Sequence, residues 1–135
     1  MERVVADGRF LSLRGTTFVV KGVTYGSFAP RGDGRLFPES DRIESDLNTI
    51  AACGFNTVRL YNPPPVELLD VSRDLGLRLL VGLDYHDLRM EPEVSRRGRR
   101  RVLDSGFRAI EDAMAELRVR PEVLAVSVGN EFPGD

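Results

Sequence analysis

Residues 121–131 read Pro-Glu-Val-Leu-Ala-Val-Ser-Val-Gly-Asn-Glu, an almost continuous apolar run from Val123 to Val128 that ends in an amide and a carboxylic acid. A short run rich in β-branched residues is a strand. Its nearly unbroken apolar character is expected of a parallel strand covered by helices on both faces. The Asn130-Glu131 pair is out of place in such a core, because a buried amide and carboxylate need water, a partner or a ligand.

The pattern repeats upstream. Leu103, Phe107, Ile110, Met114 and Leu117 step by four, three, four and three, the spacing of one helical face, and Pro121 ends that helix. Leu77 to Leu83 is the strand before it, joined to the helix through the polar stretch Asp84 to Ser95. A further helix runs to about Leu75 and closes on Gly76; its start is marked by Pro63-Pro64-Pro65, the last of which suits a first helical turn. Asn56 to Tyr61 is a strand by content, and the helix before it has an inward stripe of Ile43, Leu47 and Ile50, a cap at Ser40 or Asp41 and a stop at Gly54. Residues 4–13 and 17–25, separated by Arg14-Gly15-Thr16, predict a hairpin leading into a buried strand, Phe18 to Tyr25. A loop from Gly26 to Pro38 follows, with a turn at Gly32-Asp33-Gly34.

The expectation is therefore an α/β domain over residues 1–135, with residues 1–17 as an N-terminal hairpin cap and the rest as four βα units on a parallel sheet. A chain of 135 residues forms one domain and buries a real core without disulfides. The net charge of −2 offers no bulk attraction to nucleic acid or anionic lipid. The basic residues are eighteen arginines and Lys21, and the cluster Arg96, Arg97, Arg99, Arg100, Arg101 carries no interleaved aromatic residue. It reads as a solvated loop or helix start rather than a base-stacking surface. A single cysteine, Cys53, excludes an intramolecular disulfide and reads as a buried structural thiol. No apolar run approaches the ~20 residues of a membrane span, and the N-terminus lacks a signal-peptide pattern, so a cytoplasmic protein is expected.

Right-handed crossovers place every strand-to-helix loop at one end of such a sheet, the end where α/β proteins keep their sites. Four clusters fall there: Tyr25 with Ser27 and Phe28; Arg59 with Tyr61 and Asn62; Asp84-Tyr85-His86-Asp87; and Asn130-Glu131. A guanidinium such as that of Arg59 at a sheet rim calls for a carboxylate partner.

Three motifs carry a resemblance to a known group. Gly129-Asn130-Glu131 after an apolar strand, Gly54-Phe55-Asn56-Thr57-Val58-Arg59, and Phe18 to Tyr25 resemble the fourth, second and first strands of clan A glycoside hydrolases. The resemblance implies the first half of a (β/α)8, or TIM, barrel and a retaining β-glycosidase or transglycosidase chemistry. It implies Glu131 as general acid/base, Asn130 on the sugar 2-hydroxyl, and Arg59 steadying a nucleophile carboxylate. His86, Tyr61 and Tyr85 would line the substrate site, with a carbohydrate as partner and no cofactor. The clan's nucleophile lies on a seventh strand, beyond the four found here.

Two readings compete with this one: a non-catalytic (βα)4 module, and a metal-dependent hydrolase using Asp84, His86 and Asp87. A four-unit sheet exposes two parallel edges and its inner face. The chain is then either part of a longer enzyme or a four-unit protein, and a homodimer completing a barrel through the open edges is expected.

Overall fold

A computed structural model of the chain describes residues 1–83 and 96–127. Strands β1 (Val5–Asp7), β2 (Phe10–Leu13) and β3 (Thr16–Thr17) form an antiparallel sheet in that order. The sequence predicts a single strand over 4–13; Gly8, at φ 61°, instead turns the chain between the partners Asp7 and Phe10. Arg14 (φ 54°) and Gly15 (φ 73°) turn it again between the partners Leu13 and Thr16, the paired positive φ of a type I′ hairpin.

The predicted strand Phe18 to Tyr25 shortens to β4 (Gly22–Thr24). The Asn56 side chain explains the difference. Its amide donates to the Val19 carbonyl (2.8 Å) and accepts from the Lys21 N–H (2.8 Å), so side-chain bonds tie down the backbone ahead of β4. Val19 and Val20 are left exposed.

Three further units follow: α1 (Ser40–Ala52), β5 (Thr57–Leu60), α2 (Val66–Asp74), β6 (Arg78–Gly82), α3 (Arg96–Leu117) and β7 (Val123–Ser127). The four strands pair in chain order, β4-β5-β6-β7, and every pair is parallel. The cap of α1 is Glu39, one residue before the expected position, and Pro65 caps α2 from outside its first turn. Gly54 and Gly76, at φ 83° and 75°, stop α1 and α2 as expected.

Register decides which residues form the core. Val23, Val58 and Leu79 share one row, and Leu60, Val81 and Val126 share another. Val58, Leu60, Leu79 and Val81 are fully buried against Ile43 and Leu47 of α1 and Leu68 and Leu69 of α2. Each such aliphatic side chain contributes about 2 kcal/mol from burial. The alternate residues lie on the opposite face, where Thr24 and Ala125 are exposed and Arg59, Leu80 and Ser127 are half-buried. Among the described residues, helices thus cover one face, not both as the apolar strands suggest.

The stripe on α3 is helical as read, but only its last residue, Leu117, is buried; Leu103, Phe107 and Met114 are exposed. The helix meets the core cluster through Ala113 and Leu117. Cys53, expected to be buried, is exposed just past α1. No helix among the described residues is long and apolar enough to cross a membrane.

At the amino-terminal end of the sheet, Glu122 is fully buried. Its Oε1 lies 3.8 Å from Arg120 Nη1, with no hydrogen bond to either carboxylate oxygen among the described residues. Burial pushes the nearby Arg78 guanidinium below its ordinary pKa, and the charge of Glu122 and, less strongly, Glu2 opposes that shift. Arg78 also donates to the Pro121 carbonyl at 2.9 Å. Removing one member of such a buried charge group leaves the other uncompensated. Glu122→Ala is expected to lower stability by about 3 kcal/mol in urea denaturation; a change below ~1 kcal/mol counts against Glu122 as the counter-charge of Arg78.

Candidate functional site

The carboxyl ends of β5, β6 and β7 enclose a concavity of about 270 Å³, part of it open to solvent, lined by Arg59, Leu60, Tyr61, Leu80, Gly82, Leu83 and Ser127. Arg59 is one residue inside the end of β5, beside Leu80 in register, and Ser127 stands beside Gly82. The Arg59 guanidinium carbon lies 4.8 Å from the Tyr61 ring centroid, within cation–π range. The stack sets the cation at the rim, beside polar Ser127 and apolar Leu80 and Leu83.

Ser127 reaches this pocket through an irregularity. Leu79 pairs with Val123 but Leu80 pairs with Ala125, so Leu124 is an extra residue in β7. The bulge shifts the downstream alternation, placing Val126 in the core row with Val81 and Ser127 in the rim row with Gly82.

Gly82 keeps the rim closed. A Cβ there would lie 2.5 Å from the Tyr61 carbonyl oxygen and 2.9 Å from that of Leu60. Both are backbone atoms, which cannot rotate away.

The cluster after β4 turns the other way. Tyr25 is buried in the same sense as Leu60, and its hydroxyl donates to Asp46 of α1 at 3.0 Å. Its ring meets Phe28 edge-on at 4.9 Å, and Phe28 lies 6.3 Å from Phe37. Phe28 therefore packs against the core. Asp46 in turn accepts from Arg42 at 2.9 Å. Desolvation first, then the Asp46 hydrogen bond and charge, hold the Tyr25 hydroxyl well above its usual ionisation range, with Arg42 opposing.

Of the site residues expected from sequence, Arg59 and Tyr61 come together in the pocket. His86, Tyr85, Asn130 and Glu131 lie outside the described residues, as do Asp84 and Asp87 of the alternative metal array. Among the described residues, no group of three His, Cys, Asp or Glu side chains could hold a metal ion. Sequence reasoning missed Gly82 and Ser127. Their signal was present: each is the small or polar residue at an alternate position of an apolar strand.

No family model matches the chain, and no curated protein matches it. Its fold is similar to solved structures. The apo structure of a β-glucuronidase from Ruminococcus gnavus superposes with a TM-score of 0.80 at 19% identity, over 97% of this chain and 23% of that one. The exo-chitosanase CsxA of Amycolatopsis orientalis gives 0.63 at 22% identity, over 88% and 14%. A glycosyl hydrolase family 2 member from Bacteroides cellulosilyticus gives 0.60 at 19%, over 93% and 16%. The chain spans about a quarter or less of the length of each of these three, and at such identities the likeness is one of fold.

Two measurements check the site. Gly82→Ala is expected to destabilise the chain by about 1–3 kcal/mol, the range of overpacking in a tight space, and to shift the amide NMR signals of Leu60 and Tyr61; an unchanged melting temperature refutes the close contact. The second follows from Tyr25. Its folded pKa is raised above the unfolded value near 10. The stability linked to its neutral form is therefore full below pH ~10 and is lost as pH rises through the higher folded pKa. Tyr25→Phe is expected to flatten the alkaline fall in stability and to remove a late-ionising phenol from the ultraviolet titration. An unchanged alkaline limb refutes this role.

Proposed function

We propose that this chain is the first four βα units of a glycosidase (β/α)8 barrel, acting on β-linked carbohydrate by a retaining mechanism. The observation that supports the reading most is the meeting of Arg59 and Ser127 in one pocket at the carboxyl edge of the sheet. Glu131 follows Ser127 by four residues in the sequence. The fold likeness to a β-glucuronidase over 97% of the chain supports it independently.

In this reading Glu131 is the general acid that protonates the glycosidic oxygen, a poor leaving group otherwise, and then the base that activates water. Asn130 holds the sugar 2-hydroxyl. Arg59, kept at the rim by Tyr61, steadies the nucleophile carboxylate, which a retaining site needs roughly 5 Å from the acid. That carboxylate comes from a strand of four further βα units. His86, Tyr61 and Tyr85 line the sugar site.

Turnover of aryl β-glucuronides and aryl β-glucosaminides by wild type and Glu131→Ala, each joined to the four further βα units that supply the nucleophile, tests the proposal. The variant is expected to lose on the order of 10²–10⁴ in rate, the usual worth of a positioned acid/base. Added azide, an external nucleophile needing no base, is expected to restore turnover with an activated aryl leaving group. Equal rates in the two proteins reject Glu131 as the acid. A wild-type barrel with all eight units and no turnover rejects the glycosidase reading and favours the non-catalytic module.

A further inference from the structure

Two glycines stand on strands of the parallel sheet, Gly22 on β4 and Gly82 on β6. Neither is among the glycines of positive φ, so the backbone conformation requires a glycine at neither place. Their surroundings differ. A Cβ on Gly22 would meet the Thr57 carbonyl oxygen at 3.6 Å, an ordinary contact. One on Gly82 would stand 2.5 Å from the Tyr61 carbonyl oxygen, 2.8 Å from its carbonyl carbon and 2.9 Å from the Leu60 carbonyl oxygen. The squeeze between β5 and β6 therefore belongs to their carboxyl ends, and there it excludes any side chain larger than hydrogen. A strand glycine of this kind marks the close approach of another backbone.

That backbone carries the residue that meets Arg59. Leu60 pairs with Val81, so Tyr61 and Gly82 are the next residues along the two strands. The Tyr61 ring centroid lies 4.8 Å from the Arg59 guanidinium carbon, and Arg59, Tyr61 and Gly82 all line the rim pocket. We propose that Gly82 is a positioning residue: bearing no Cβ, it lets the Tyr61 backbone lie against β6, and from that place the Tyr61 ring aligns the Arg59 guanidinium in the pocket. A methyl group at position 82 would drive the Tyr61 carbonyl back by about 1 Å before ordinary van der Waals contact is restored. Ring and carbonyl hang from one Cα, so the ring moves too. At 4.8 Å the guanidinium has little to spare before the ~6 Å limit of the cation–π attraction. The alignment stands on geometry alone. Its bearing on turnover rests on the glycosidase reading, in which Arg59 steadies the nucleophile carboxylate.

Proton NMR of the chain, read at the Arg59 Cδ and Nε protons, tests the alignment, because protons over a ring face are shifted upfield. Wild type is expected to show the upfield shift and Tyr61→Leu to abolish it. Gly82→Ala, recorded below its melting temperature, is expected to lose at least half of the shift, and Gly22→Ala none. Overpacking alone would lower the melting temperature and leave the shift in place. In the barrel joined to four further βα units, Gly82→Ala is expected to lower kcat on the order of tenfold or more without a matching rise in KM, and Gly22→Ala to change neither. Wild-type Arg59 signals without an upfield shift overturn the proposal with no variant needed. A folded Gly82→Ala that keeps the shift overturns it too, and so does a Gly82→Ala barrel as active as wild type. When Glu131→Ala loses turnover in that assay, the sugar reading stands and only the role of Gly82 falls.

Discussion

Burial of two rows of side chains fixes everything that happens at the other face of the sheet. Val58 and Leu60 on β5 and Leu79 and Val81 on β6 are inaccessible, and they pair Val58 with Leu79 and Leu60 with Val81. A slip of one residue would turn each strand over, carrying Arg59 into the aliphatic layer and Leu60 out of it. A guanidinium in that layer, surrounded by Ile43, Leu47, Leu68 and Leu69, would have no partner among the residues that form it. The position of Arg59 at the rim and the integrity of the core are therefore one constraint.

The bulge in β7 extends this logic. Without the extra residue at Leu124, Ala125 would stand beside Val81 and Val126 beside Gly82, leaving the core row thin and the pocket apolar. With it, Val126 joins the core cluster and Ser127 enters the concavity. One inserted residue thus corrects both faces together, which is why such irregularities recur next to sites rather than in the middle of sheets.

Element order, the parallel sheet and the helix stops at Gly54 and Gly76 were legible in the sequence, because period and punctuation are local signals. The start of β4 was not, because the bonds that tie down Val19 and Lys21 come from Asn56, more than thirty residues away. The stripe of α3 was read correctly as helical and wrongly as buried. Periodicity reports which residues share a face, not which face the core takes, and here Ala113 and Leu117 meet it. Cys53 was misplaced for a similar reason: an apolar sequence neighbourhood does not say which way a helix end points. At the site, Arg59 and Tyr61 stood out by chemical type, whereas Gly82 and Ser127 matter through proximity to backbone that only register reveals.

The one-sided covering of the sheet follows from strand order. Crossovers of a single hand, added always in the same direction, deposit every helix on the same face. A doubly wound sheet covers its second face only by reversing direction at a switch point. The order β4-β5-β6-β7 contains no reversal, so the face bearing Thr24, Arg59, Leu80 and Ala125 receives no helix from the described units. Apolar strands do not distinguish the two arrangements, since an inner face that packs against other strands is as apolar as one that packs against helices. A one-directional order is also what closure into a barrel requires, and there the rim residues of all strands converge on a single mouth. Arg59 and Ser127, on strands separated by β6, line one pocket.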